Sequence, residues 1–267
     1  MIQPMIVYPD IDPIIFSIGV VKIRWYGLMY VIGFLFAWWL ARKRSELPHS
    51  SIKDPQQADD LIFYGMLGVI LGGRVGHALF YSSTSFADDP LYLFKIWEGG
   101  MPFHGGLIGV LVAMWLFGRK LILTLWQVTD FIAPMVPLGL GFGRIGNFIN
   151  GELWGKPTDF AWGVLYNGQV LHASQLYEAV LEGFGLFAIL WWYSSKPRPY
   201  MAVSGLFLFL YGVGRFLIEF VRVPDAHIGY LAADWVTMGQ VLSAPMILAG
   251  ATLLILAYTR NNKEAAA

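Results

Sequence analysis

The 267-residue chain is 57% hydrophobic and only 13% charged, well below the roughly 25% charge of soluble domains. Its formal net charge is zero, so no nucleic-acid partner is suggested. It has no cysteine, hence no disulfide, no thiol nucleophile and no cysteine metal site. The composition is that of a polytopic, all-α membrane protein built as a single domain over residues 1–267.

The start, MIQPMIVYPDID, lacks a basic n-region, and basic residues rather than a small-residue cleavage site follow the first apolar run, so no cleaved signal peptide is expected. Seven apolar stretches then follow: 25–41, 61–81, 103–118, 131–149, 176–193, 201–221 and 241–258. Each is close to the roughly 20 residues that cross a bilayer as a helix. The loops after the first, third and fifth stretches and the C-terminus carry ten Lys and Arg, against five on the other side. The positive-inside rule therefore predicts an outer N-terminus and a cytoplasmic C-terminus. The longer connections fall outside: a periplasmic arm at about 82–102 and a small head segment at about 151–173. The head is predicted to hold short strands turning at Asn167-Gly168.

Polar residues gather toward the outer end of this topology. Tyr26 opens the first stretch, Arg74 and His77 close the second, and His104 opens the third. Arg144, Asn147, Asn150 and Glu152 close the fourth, within the glycine-rich run Gly141 to Gly155. His172, Gln175 and Glu178 open the fifth. Tyr211, Arg215, Glu219 and Arg222 end the sixth, spaced four, four and three apart and so on one helical face. Burying a cation in hydrocarbon costs roughly 2.5 kcal/mol or more, so Arg144 and Arg215 are candidate site residues. The plain alternatives are a snorkelling arginine for Arg144 and an Arg215–Glu219 pair joining helices. Gln175, Glu178 and Glu182 are expected to orient neighbours rather than react. His104 lies in HGGLIG; its glycines suit helix packing, and its imidazole suits proton transfer at an interface. No metal-binding spacing and no hydrolase elbow are present. Several arginines at one depth suit a phosphate, which inside a membrane means a phospholipid headgroup.

Two motifs, His104-Gly-Gly-Leu-Ile-Gly109 and Gly143-Arg-Ile-Gly-Asn-Phe-Ile-Asn-Gly-Glu-Leu-Trp-Gly155, resemble the signatures of the phosphatidylglycerol–prolipoprotein diacylglyceryl transferases. Trp25-Tyr-Gly-Leu-Met-Tyr30, Gly72-Gly-Arg-Val-Gly76, Ser174-Gln-Leu-Tyr-Glu178 and Tyr211-Gly-Val-Gly-Arg-Phe-Leu-Ile-Glu219 add to the likeness, in the family's order. The resemblance implies a seven-span enzyme of the bacterial inner membrane, with its site toward the periplasmic leaflet. It implies transfer of the diacylglyceryl group of phosphatidylglycerol to the lipobox cysteine of a prolipoprotein, with glycerol 1-phosphate released and no cofactor. The thiol is then the substrate's, so the absence of cysteine here is no objection. By motif, Arg144 and Arg215 hold the phosphate; Asn147, Glu152 and Gly155 shape the headgroup site; Tyr26, His104, Tyr211, Glu219 and Arg74 complete it. Against an arginine-held carboxylate such as Glu219, His104 is the preferred proton acceptor. Two departures touch the head: many relatives read His-Pro-Ser-Gln where this chain has His172-Ala-Ser-Gln175, and the segment before His172 is shorter. An anion or lipid transporter with an arginine-lined outer cavity, or a phospholipid hydrolase, would be built from the same polar groups.

Overall fold

The computed structural model describes residues 6–19, 21–80, 102–224 and 229–266. The expected arm at 82–102 falls, but for Pro102, outside the described residues. The chain divides into two compact units, Met1–Ala37 with Ile132–Ala267, and Trp38–Phe131.

The first unit opens with three short strands, β1 (Ile6–Val7), β2 (Ile14–Ile18) and β3 (Val21–Arg24). β2 and β3 form an antiparallel hairpin that turns through Gly19 at φ +60°. Asp12 Oδ1 starts it by accepting the Ile14 N–H at 2.8 Å. Helix α1 (Trp25–Ser45) follows without a break and runs on into the second unit. The sequence reading places no strand before the first helix, and this N-terminal hairpin corrects it. The apolar residues of Ile14–Ile18 are too few for a helix, and the Asp12 and Gly19 bends frame them as a strand.

Helix α5 (Val136–Ile149) carries the central motif. The apolar run predicts one continuous helix over 131–149. Instead helix α4 (Leu125–Ile132) ends, a turn covers 133–135, and α5 begins at Val136. Pro134 and Pro137 are the cause. Each lacks an N–H and clashes with the carbonyl four residues back; two of them within four residues break the helix here, while the first turn accepts Pro137.

The head contains β4 (Val164–Tyr166) and β5 (Gln169–Leu171), an antiparallel pair. Asn167 and Gly168 join them at φ 49° and 80°, the two positive values a type I′ turn needs. This is the hairpin the sequence predicts. β1 adds to β4 in parallel, bringing Tyr8 into a cage of rings. Tyr8 is 8% exposed and meets Phe148, Trp154 and Tyr166 edge-on at 5.2–5.5 Å between centroids. Its hydroxyl donates to the Ile149 carbonyl at 2.8 Å, one of the acceptors left free at the end of α5. The N-terminal segment thus fixes the loop that follows Arg144.

The fifth stretch is helical from Ser174 to Tyr193, as α6 (Ser174–Glu178), a π-helical segment (Ala179–Gly185) and α7 (Leu186–Tyr193). The sixth and seventh are α8 (Ala202–Ile218) and α9 (Met238–Ala266). α8 and α9 approach closely at glycines: a Cβ on Gly205 would lie 3.0 Å from the Gly250 carbonyl oxygen.

The second unit is built on α2 (Pro55–Phe80) and α3 (Phe103–Lys120), packed backbone to backbone. A Cβ on Gly76 would lie 2.9 Å from Gly105 Cα, and one on Gly109 would lie 2.8 Å from Gly72 Cα and strike the Gly68 carbonyl. The glycines of HGGLIG and GGRVG are therefore the seam between these helices. α3 and α4 meet at 119°.

α2 and residues Met238–Arg260 of α9 are long and apolar enough to cross a membrane, and the bent α3–α4 pair would make a third crossing; Ala202–Ile218 is a shorter apolar helix. Their outer faces are apolar: Phe63, Leu71, Leu248 and Ile255 are each more than half exposed. Such surfaces need a hydrocarbon solvent, so this is a membrane protein.

Candidate active site

The site in the first unit is an ionic cluster joining α5, the α6–π helix and α8. Glu178, 2% exposed, closes α6. Its Oε2 pairs with Arg144 Nε at 2.5 Å. Its Oε1 receives Arg215 Nη1 at 2.9 Å and Arg222 Nη1 at 3.0 Å. Glu219 holds the other side of the same two arginines: its Oε1 lies 2.8 Å from Arg215 Nη2 and 3.4 Å from Arg222 Nε. Glu219 Oε2 accepts the Thr237 hydroxyl at 2.6 Å. Glu182, one helical turn beyond Glu178, lies 3.9 Å from Arg215 Nη1, and its Oε1 is buried without a hydrogen bond.

Three guanidiniums therefore face three buried acidic side chains, and the opposite charges that pair within the group let it leave water together. Removing one member of such a group costs about 3–5 kcal/mol, because the partner stays buried and uncompensated. The three arginines differ in how fully they are engaged. Arg215 spends both terminal nitrogens on glutamates. Arg144, the most exposed at 24%, uses Nε on Glu178 and reaches Asn147 Oδ1 from Nη1 only at 3.5 Å. Among the described residues its fork has room for a further acceptor.

The loop after α5 extends the cluster. Asn147 and Asn150 both donate to Glu152 Oε1, at 2.9 and 3.1 Å. Gln175 Nε2 donates to the Glu152 carbonyl oxygen, and the Ser174 hydroxyl donates to the Leu153 carbonyl at 2.8 Å. Gly155 is wedged between two backbones. Its N–H donates to the His172 carbonyl at 2.9 Å, and a Cβ there would lie 2.5 Å from the Val221 carbonyl oxygen. The glycine thereby ties the head to the chain around Arg222. His172 sits in the head with Nδ1 3.3 Å from the Tyr177 hydroxyl. Burial, and then the charge of Lys156, push its titration below the ordinary imidazole value.

Of the residues predicted from sequence, Tyr26, Arg144, Asn147, Glu152, Gly155, Tyr211, Arg215 and Glu219 all belong to this unit. Tyr26 packs on the helix of Arg144: a Cβ on Gly146 would lie 2.8 Å from its ring. Tyr211 stacks on Phe207 at 5.8 Å, one turn before Arg215. Arg74 and His104 belong to the second unit. Arg74 is 3% exposed and partnered; His104 is exposed in the first turn of α3 and lies edge-on to Phe103. The alternative of an Arg215–Glu219 helix pair is realised, but within a larger cluster.

A family model described as prolipoprotein diacylglyceryl transferase matches residues 13–256. The chain belongs to that family. Proteins named phosphatidylglycerol–prolipoprotein diacylglyceryl transferase are similar over almost their whole length. The one from Methylococcus capsulatus is 56% identical over 261 residues, covering 97% of this chain and all of its own. The one from Chromohalobacter salexigens is 56% identical over 254 residues, 94% of each chain. The one from Oleidesulfovibrio alaskensis is 56% identical over 265 residues, 98% of each.

Sequence reasoning placed Glu178 and Glu182 on one face but assigned them only an orienting part, and left Arg222 at the rim. Thr237 and Gly239, which bound the Glu219 carboxylate, carry no signal in the sequence.

Proposed function

We propose that this chain transfers the diacylglyceryl group of phosphatidylglycerol to the lipobox cysteine thiol of a prolipoprotein, the first step of lipoprotein maturation. The observation that carries the reading is the convergence of Arg144, Arg215 and Arg222 on Glu178, with Arg144 keeping part of its fork unclaimed, in a family whose relatives are named for this lipid and this acceptor. In the reaction the cysteine sulfur forms a bond to the terminal glycerol carbon of the diacylglyceryl group. The bond from that carbon to the phosphate oxygen breaks, and the electron pair leaves with glycerol 1-phosphate. Charge grows on the phosphate oxygens, and a fixed guanidinium stabilises it better than water does. Asn147 and Glu152 bound the headgroup, with Tyr26 and Tyr211 beside the helices that hold the arginines. The detergent-solubilised protein is expected to consume phosphatidylglycerol when given a lipobox peptide; a transporter would leave the lipid intact.

The setting we propose is a bacterial inner membrane, crossed seven times, with the head and the 82–102 arm in the periplasm. It is supported by the ten-to-five division of basic residues. Cysteines placed at Ser195 and Asp159, both exposed, are expected to label from the cytoplasmic and periplasmic sides respectively. Labelling of both from one side contradicts an outward-facing site.

His104 is the proton acceptor in this reading. Free cysteine thiols ionise near pH 8.5, and the thiolate is the nucleophile, so a base matters most at neutral pH. His104→Gln is expected to lose most activity at pH 7 and to recover as pH rises and the thiol ionises unaided. A rate that stays equally depressed at high pH assigns His104 a structural or lipid-binding part instead.

A further inference from the structure

We propose that Glu178 is the positioning residue of the site, fixing the direction of the Arg144 guanidinium before lipid binds. The proposal rests on the transferase reading above. Glu178 is the one described carboxylate paired with all three arginines of the cluster, with Oε2 for Arg144 and Oε1 for Arg215 and Arg222. Because it takes Arg144 by Nε, it leaves Nη2 unclaimed among the described residues and Nη1 with only its 3.5 Å reach to Asn147 Oδ1. A carboxylate holding the two terminal nitrogens would block them. Arg215 and Arg222 are in turn clamped between Glu178 and Glu219, so they back the site with charge while Arg144 presents it.

The local backbone explains how one side chain reaches three arginines. Glu178 is the last residue before the π-helical segment Ala179–Gly185, and such widened turns recur at functional sites. Gly183, inside that segment, meets Gly141 of α5 backbone to backbone: a Cβ on Gly183 would lie 2.5 Å from Gly141 Cα. Arg144 is three residues beyond Gly141, on the same side of α5. The glycine contact draws the two helices close enough for the short Glu178–Arg144 pair. Fixed guanidinium geometry is what an in-line displacement at carbon requires of its leaving-group holder. Displacing such a group by about 1 Å costs roughly 100-fold in rate.

A positioning role and a binding role predict opposite changes in affinity. Glu178→Gln removes a negative charge beside three arginines, so an anion should be held more tightly while the fork loses its set direction. In the intact, solubilised protein, kcat is expected to fall roughly 100-fold, with KM for phosphatidylglycerol unchanged or lower. Glycerol 1-phosphate is expected to bind about threefold more tightly by calorimetry. Glu178→Asp keeps the charge and loses one methylene, and is expected to lower kcat less with no gain in affinity. A folded Glu178→Gln protein with kcat within about threefold of the parent overturns the proposal, as does equal weakening of turnover and glycerol phosphate binding. If neither variant folds, Glu178 is a folding element and the proposal also fails. Absence of turnover in the parent would instead overturn the transferase reading itself.

Discussion

Replacing Arg144 by lysine is expected to lower the rate of diacylglyceryl transfer by at least about 100-fold, although the charge is kept. The arginine does two jobs with different nitrogens. Nε lies 2.5 Å from Glu178 Oε2, and Nη1 points toward Asn147 at 3.5 Å. A lysine has one nitrogen at the end of a flexible stem. If it satisfies Glu178 it offers little to a phosphate, and if it turns to the phosphate it leaves Glu178 short of a partner. The fold should survive, because a cation still faces the carboxylates. Initial rates with phosphatidylglycerol and a lipobox peptide, beside a melting curve, check both halves. A near-parental rate would reduce Arg144 to a charge or a packing element.

Gly239→Ala is the second large effect, expected to lower turnover about 30-fold at a stability cost of roughly 1–3 kcal/mol. A methyl there would lie 2.6 Å from each Glu219 carboxylate oxygen. A glutamate on the surface would swing aside. This one is 5% exposed, with Oε2 bound to Thr237 and Oε1 against Arg215 and Arg222. Moving it loosens the back wall on which both arginines rest. Adding Glu219→Asp shortens the acid and makes room for the methyl, so the double variant should recover part of the lost rate. Unchanged kinetics in Gly239→Ala would mean that the placement of Glu219 does not matter to turnover.

The site was legible in outline because hydrocarbon makes charge conspicuous. Arg144 and Arg215 stand out within apolar runs, and the Tyr211, Arg215, Glu219 spacing puts one face of α8 on display. Asn167-Gly168 foretold the head hairpin because few residue pairs accept two positive φ values. The central place of Glu178 was not legible. Helical periodicity says which residues share a face, not which helix that face meets, and Arg144 and the Arg215–Arg222 stretch lie far from Glu178 in sequence. The π-helical segment has no sequence signature of its own. The break before α5 had one, in Pro134, but membrane helices often carry proline, so the stretch read as continuous. β1 was missed because a two-residue strand has no period, and its partner β4 lies far along the chain. The HGGLIG motif carried two meanings at once. Its glycines have found theirs in the α2–α3 seam, and the part played by its histidine is left to the pH profile.

The most direct test of the transferase reading is product stoichiometry. The purified protein is mixed with phosphatidylglycerol and a peptide bearing a lipobox cysteine, and both products are followed by mass spectrometry. The expected result is a peptide heavier by one diacylglyceryl group, resistant to thioester cleavage, with one glycerol 1-phosphate released for each peptide modified. Glycerol phosphate released without modified peptide would make the protein a hydrolase, and unchanged lipid would contradict a transferase altogether.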